Sequence, residues 1–490
     1  MKNLYFSSDE FDKNASENFG LSEKILMENA ASKIEIEIRK KLKKHRKILA
    51  LIGNGNNAAD GICALRRLSG DFKCYALFLG KKSNEMLEFQ MQIAKKVGVE
   101  FIHLFEISDE KYNDRSASLE CNEISHEKLV KLLNSSDCIV DAVFGSGFHG
   151  DLSPQISYIL HEANKTKALK IAVDVPSGLR KNGSTANEIF KADITVTMGA
   201  LKLCLYSDMA KDFVGRIKCA NLGICEQNFT KNLTQDFLLT KKDLVLPCRN
   251  KQNTNKGDFG HVFVSCGDMS GAAEIAGLSA HAIGAGLVSV VSDRELKISP
   301  LLMQKKSLNG AKIVVIGCGL GKVDINFNEL TDKICVIDAD MFYKDELLEL
   351  LQTNKNMVLT PHPKEFRSLL KICGIGEFSV SEIQNARFEF ARNFSLKFPQ
   401  ILVLKGANTI IAYNGKLYIM PLGSSKLAKG GSGDALAGII AGFIAQGYEI
   451  LNAAINGVLA HALSVENCKK NDYSINAFDI VDGLKWLRKK

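Results

Sequence analysis

Short apolar runs recur along this chain, separated by longer segments with helical spacing of apolar residues, and the pattern breaks once. In the first half the runs stand at 48–52, 74–79, 138–144, 169–175 and 194–198. In the second they stand at 261–266, 287–291, 313–316, 334–337, 357–360, 401–405 and 409–412. Runs this short and this apolar read as strands buried on both faces, and helices between them make the sheets largely parallel. Residues 223–242 lose the pattern, with Glu226, Gln227, Asn228, Lys231 and Asn232 polar and irregular. The expected fold is therefore α/β in two domains, 1–225 and 235–490, and 490 residues suffice for two cores. Parallel sheets hold ligands beyond the carboxyl ends of their strands, where the polar clusters after Ile52, Val143 and Val173 stand.

Composition excludes several classes. The 13 cysteines are scattered with no CxxC pair, as suits reduced thiols rather than disulfides or a zinc site. The net charge of +8 draws on 40–47 and 488–490, with no interleaved aromatics to stack bases, so no nucleic-acid partner is expected. The apolar stretch 435–463 is interrupted by Gln446, Glu449, Asn452 and Asn456, which suits two packed helices rather than a membrane span. Residues 1–12 do not read as a secretory signal, and a soluble cytoplasmic protein is expected.

The first chemical cluster runs from Gly53 through Asn54, Gly55, Asn56, Asn57, Ala58, Ala59, Asp60 and Gly61, between a buried strand and a helix expected to start near Ile62. Main-chain amides at a helix start form an anion site. A dinucleotide fingerprint would have a third glycine at Ala58 and an acid after the next strand, so a hydride-transferring Rossmann domain is not expected. Asp141, followed by 142–151, and Asp174, followed by Val175, Pro176, Ser177 and Gly178, each leave a strand near its carboxyl end. An asparagine amide, an Asp carboxylate and a Ser hydroxyl suit a hard cation, although Asp residues at such places also serve as simple turn caps.

The second cluster is Lys429, Gly430, Gly431, Ser432, Gly433 and Asp434, running into an apolar helix. Glycines entering a helix start aim several N–H groups at one point, as phosphoryl transfer requires, and Asp434 is placed to take a proton from an attacking hydroxyl. Upstream lie Lys405–Gly406–Ala407–Asn408–Thr409 between two strands, the segment 360–366 with His362, the glycines of 317–321, and 270–273. A lone histidine is more often structural, but His362 between two prolines after a strand is well placed to meet a ligand.

In order, these motifs carry two resemblances. Residues 1 to about 225 resemble the YjeF amino-terminal family of NAD(P)HX epimerases, a Rossmann-like three-layer fold with a GNGNNGGDG-like loop, a VDALFGTG-like segment and DxPSG. The resemblance implies interconversion of the R and S epimers of hydrated NADH or NADPH. It also implies potassium held by Asn57, Asp141 and Ser177, and nucleotide contacts from Asn56, Asn57, Asp60, Gly145, Ser146, Gly147, Phe148, His149, Gly150, Asp151 and Asp174. Asp174 is then the candidate acid or base. Ala58 and Ala59 replace two family glycines, harmlessly only where φ is negative.

Residues from about 235 resemble the ribokinase-like NAD(P)HX dehydratases, through GCGLG, a TPHP segment, KGxxT and GGSGD. That resemblance implies that Asp434 deprotonates the ring hydroxyl of the S epimer, which attacks the terminal phosphate of ADP, giving AMP, and that loss of phosphate then restores NAD(P)H. Ala272, Gly319, His362 and Asp434 would meet the hydrated nucleotide; Lys405, Gly406, Ala407, Asn408, Thr409 and Gly433 would meet ADP, with Mg²⁺ on its phosphates. Lys364 and Lys429 depart from the family pattern. The expected partners are the hydrated cofactors and ADP, in a homo-oligomer. The alternative is a ribokinase-like metabolite kinase with a non-catalytic nucleotide-binding amino-terminal domain.

Overall fold

The computed structural model describes residues 1–8, 10–80, 82–104, 122–124, 126–231 and 234–488. Asn232 and the last two lysines of the basic carboxyl end lie outside the described residues. The chain divides into two compact units, Leu4–Thr234 and Gln235–Lys490, with Met1–Asn3 belonging to the second.

In the first unit eight parallel strands run in the order Asn122–Ile124, Glu100–Leu104, Lys73–Phe78, Lys47–Ile52, Cys138–Ala142, Leu169–Val173, Ile194–Met198, Arg216–Ala220. Alternate residues of the central strand enter different cores: Ile48, Ala50 and Ile52 pack into one, Leu49 and Leu51 into the other. Both faces are covered, which makes three layers and explains why the run carries no polar alternation. The order reverses at Lys47–Ile52, flanked by Lys73–Phe78 and Cys138–Ala142, and this switch point opens a crevice beyond the strand ends.

The second unit has an 11-stranded sheet, ordered Lys2–Leu4, Asp236–Leu238, Lys416–Met420, Thr409–Tyr413, Ile401–Leu404, Met357–Leu359, Ile334–Ile337, Ile313–Ile316, His261–Ser265, Leu287–Val291, Met303–Lys305. Ile401–Leu404, Thr409–Tyr413 and Lys416–Met420 pair antiparallel in sequence, so Lys405–Asn408 forms a hairpin tip. The apolar helices Ser432–Ala445 and Ile450–Ser464 lie in the core rather than in a bilayer. Among the described residues no helix is long and apolar enough to cross a membrane.

The structure differs from expectation in several places. The helix after Gly55 starts at Asn56, not near Ile62, so the asparagine segment is its first turn. Strands Lys2–Leu4, Glu100–Leu104, Asn122–Ile124, Arg216–Ala220, Asp236–Leu238, Met303–Lys305 and Lys416–Met420 were not expected; most lie at or beside a sheet edge, where polar residues interrupt the apolar pattern. Residues Glu226–Thr230, read as irregular, form a short helix that buries Phe229.

Candidate active sites

At the switch point of the first unit, Gly53 is required by close approach: a Cβ there would lie 2.0 Å from the Val143 carbonyl oxygen. The helix Asn56–Leu68 has no side-chain cap, so its first-turn N–H groups are left for a ligand. Ala58 and Ala59 sit inside that helix, fully buried and with negative φ. They therefore cause none of the strain that glycine would have been needed to avoid.

Asn54 to Asn57, Asp60 and the loop Val143–His149 line a cavity of about 610 Å³, together with Ser8, Asp12, Asp151, Asp174, Met198, Lys202 and Phe229. Every expected nucleotide-contact residue of this unit lines it except Gly150. Asn56 is held by Asn84, whose Nδ2 donates at 2.6 Å, and Asp151 pairs with the Arg180 guanidinium at 2.6 Å.

The three residues expected to hold potassium sit on adjoining elements. Asn57 Nδ2 donates to the Phe144 carbonyl at 2.9 Å, leaving its Oδ1 buried without a hydrogen-bond partner among the described residues. Asp141, fully buried, accepts from the Ser177 hydroxyl at 2.6 Å, the Ser177 N–H at 2.7 Å and the Val143 N–H at 3.2 Å. Burial pushes its carboxyl up to about 6 in spite of these bonds.

Asp174 lies just past its strand at φ +67°, a left-handed conformation that costs an aspartate energy. Its Oδ1 accepts from Lys202 Nζ at 2.5 Å, Met198 N–H at 3.2 Å and the Thr197 hydroxyl at 3.3 Å, and its Oδ2 from Ser146 N–H at 3.1 Å. Burial alone would raise this carboxyl; the Lys202 ammonium and the hydrogen bonds hold it below the ordinary carboxylate range. Lys202 and Asp12 carried no sequence signal, because each reaches the crevice from an element distant in the chain.

In the second unit the same crevice geometry recurs at the ends of neighbouring strands. Gly317, at φ +111°, would bring a Cβ 1.8 Å from the Asp338 carbonyl oxygen, and at Gly319 one would lie 2.8 Å from Ala272 Cβ. Those two expected substrate contacts are therefore neighbours. His362 caps the helix Pro363–Ile372: its Nδ1 accepts from Lys364 N–H at 3.1 Å and Glu365 N–H at 3.3 Å, and its Nε2 meets Glu365 Oε1 at 3.1 Å. Burial, then the Lys405 charge, lowers its pKa, so the ring is a neutral acceptor at Nδ1.

Lys405 Nζ lies 2.6 Å from Asp338 Oδ1 and 3.7 Å from Glu365 Oε2. Burial pulls its pKa down, but the two carboxylates more than offset that, and it stays charged. Asp434 stands in the first turn of Ser432–Ala445, behind Gly431 at φ +86°. Burial, then the Asp338 charge, pushes Asp434 up to about 6. A Cβ on Gly433 would sit 3.2 Å from Lys405 Nζ, so the glycine keeps the ammonium close to the helix start. Gly406 and Ala407 are exposed at the hairpin tip, while Asn408 and Thr409 are buried at its base. The Lys429 ammonium donates to the Tyr473 carbonyl at 2.8 Å. Sequence reasoning gave no role to Asp338, Glu365 or Cys318, since only the fold brings Asp338 to Lys405.

Comparison with known proteins follows the same division. Residues 23–204 match the family described as YjeF-related protein N-terminus, and residues 261–485 the family described as NAD(P)H-hydrate dehydratase. The bifunctional NAD(P)H-hydrate repair enzyme Nnr of Helicobacter pylori is 40% identical over 99% of this chain and 100% of its own length. The protein of that name from Coxiella burnetii is 34% identical over 73% of this chain and 77% of its own, and that from Escherichia coli 30% identical over 85% and 80%.

Proposed function

Because the chain belongs to the bifunctional NAD(P)H-hydrate repair enzymes, we propose that it interconverts R- and S-NAD(P)HX in its first unit and dehydrates the S epimer with ADP in its second. One observation carries the second activity: Asp434, pushed up to about 6, stands at an open helix start near Lys405 and Asp338. A carboxylate of that basicity is matched to taking a proton from a ring hydroxyl near neutral pH. The helix N–H groups and the Lys405 ammonium then meet the negative charge developing on the transferred phosphoryl group. Ala272 and Gly319 shape the floor on the hydrated-nucleotide side, and the hairpin Lys405–Thr409 wraps ADP.

Potassium suits the first site, because the buried Asn57 Oδ1 lacks a donor among the described residues and Phe144 links Asn57 to the Ser177 hydroxyl, which is bonded to the Asp141 carboxylate. When bound, it would supply a fixed positive charge that offsets Asp141 beneath the nucleotide loops. Magnesium is different. Among the described residues, the cluster able to hold an ion is Cys318, Asp338 and Asp434, with ligand atoms within 4.8 Å of one another. A thiol does not suit so hard a cation, and Asp338 is already held by Lys405, so magnesium enters on the phosphates of the nucleotide.

The test is a single assay: mixed R and S NADHX with ADP and Mg²⁺, following the absorbance of regenerated NADH, with spontaneous epimerisation subtracted. Full conversion with release of free phosphate supports both activities. A halt at the S fraction removes the epimerase, and a stable phosphorylated product makes the second unit a kinase instead.

A further inference from the structure

Four carboxyls and one ammonium line the first cavity: Asp12, Asp60, Asp174, Lys202, and Asp151, which is paired with Arg180. Their hydrogen bonding differs sharply. Asp174 is saturated by Lys202, Thr197, Met198 and Ser146, whereas no described group hydrogen-bonds the carboxyl of Asp60 or of Asp12. Lys202 is committed to Asp174, with Thr197 and the Met198 carbonyl taking its other protons. It leaves no full positive charge for a second carboxylate. With Asp151 paired to Arg180, three carboxylates against one ammonium would put two uncompensated charges in one crevice; of the two without donors, Asp12 is exposed and Asp60 is the more buried, so a proton on Asp60 relieves this at least cost.

Resting on the repair reading, we propose that Asp60 is the proton donor of the epimerisation, while Asp174 stays a carboxylate fixed by Lys202. Hydration of an enamine places the hydroxyl on the carbon bonded to the ring nitrogen. Asp60 gives its proton to that hydroxyl oxygen, the C–O bond breaks with its electron pair leaving on water, and the nitrogen lone pair forms a C=N bond. Water then adds to the opposite face of the same carbon, the C=N pair returns to nitrogen, and the proton lost by the added water returns to Asp60. No redox partner is needed, and the carboxylates of Asp12 and Asp174 favour the transient ring cation. Burial, with the charges of Asp174 and Asp12, holds Asp60 well above the ordinary carboxylate range, in keeping with this role.

The groups facing Asp60 are Asp12 on helix Phe11–Phe19, Asp174 after Leu169–Val173 and Lys202 after Ile194–Met198. The other titratable cavity residues are His149 and Asp151, the latter paired with Arg180.

The experiment uses the full chain with pure R-NADHX and no ADP, following R-to-S conversion by chromatography across pH, with dehydration of S-NADHX plus ADP as the internal control. Asp60→Asn is expected to lower kcat for epimerisation by about 10²–10⁴-fold, with KM within about threefold and S dehydration unchanged. The wild-type rate falls as pH rises past the Asp60 carboxyl, and this limb disappears in Asp60→Asn. Asp60→Glu, which keeps a carboxyl, recovers part of the rate. An Asp60→Asn rate within about tenfold of wild type, a loss confined to KM, or a retained alkaline limb overturns the assignment. A wild-type protein that never interconverts the epimers overturns the repair reading itself, and this inference with it.

Discussion

Asp434 and Lys202 show how burial sets what a single side chain can do. Asp434 must be ionised to act as a base, and its carboxyl stands at about 6. The dehydration rate should therefore fall about tenfold per unit as pH drops below that value and level off above it; a pH–kcat/KM profile measures this. Asp434→Asn removes the base, and at least a hundredfold loss of NADH formation with ADP binding retained is expected, read by absorbance and calorimetry. Lys202 is 2% exposed, so Lys202→Met strands the buried Asp174 carboxylate. A loss of about 3–5 kcal/mol in the stability of the first unit should follow, seen in denaturant melts. Ala59, read in the sequence as a departure from a glycine motif, is fully buried within a helix. Ala59→Gly should cost about 1 kcal/mol rather than improve the site, again by melts.

At the scale of elements, helix starts do most of the positioning. The segment Asn56–Asp60 was legible as a ligand loop from its asparagines and glycines, but its residues were misplaced because polar, turn-favouring asparagines hide a first helical turn. The apolar runs 194–198, 287–291, 313–316 and 334–337 are the observed strands residue for residue, since burial on both faces leaves no doubt about their extent. Edge strands are the reverse case, because one solvated side lets polar residues dilute the signal. Helix Ser432–Ala445 holds Asp434 in place by tight packing: a Cβ on Gly438 would lie 2.0 Å from the Ala276 carbonyl oxygen of helix Ser270–Ala282. Gly438→Val must push the two helices apart. A cost of about 3 kcal/mol or more is expected, with loss of dehydration, measured by thermal melts beside the assay.

For the whole molecule, each unit has its own sheet and its own buried clusters, so damage to one site should spare the other activity. Gly53→Val, which drives a side chain into the Val143 carbonyl, should end epimerisation and leave S dehydration near wild type, as Gly438→Val should do the converse; the two assays run on each variant decide it. By itself the sequence determined the two α/β halves and the glycine entry to Asp434, because strand burial and local turn chemistry are written in neighbouring residues, whereas the set Asn57, Asp141 and Ser177 was proposed through family resemblance. Only the tertiary structure decided that Lys202 neutralises Asp174, that Asp60 has no donor among the described residues, that Lys405 meets Asp338, and that Met1–Asn3 belong with the second unit. Those are matters of charge and pairing between elements far apart in the chain, and residue spacing carries no record of them.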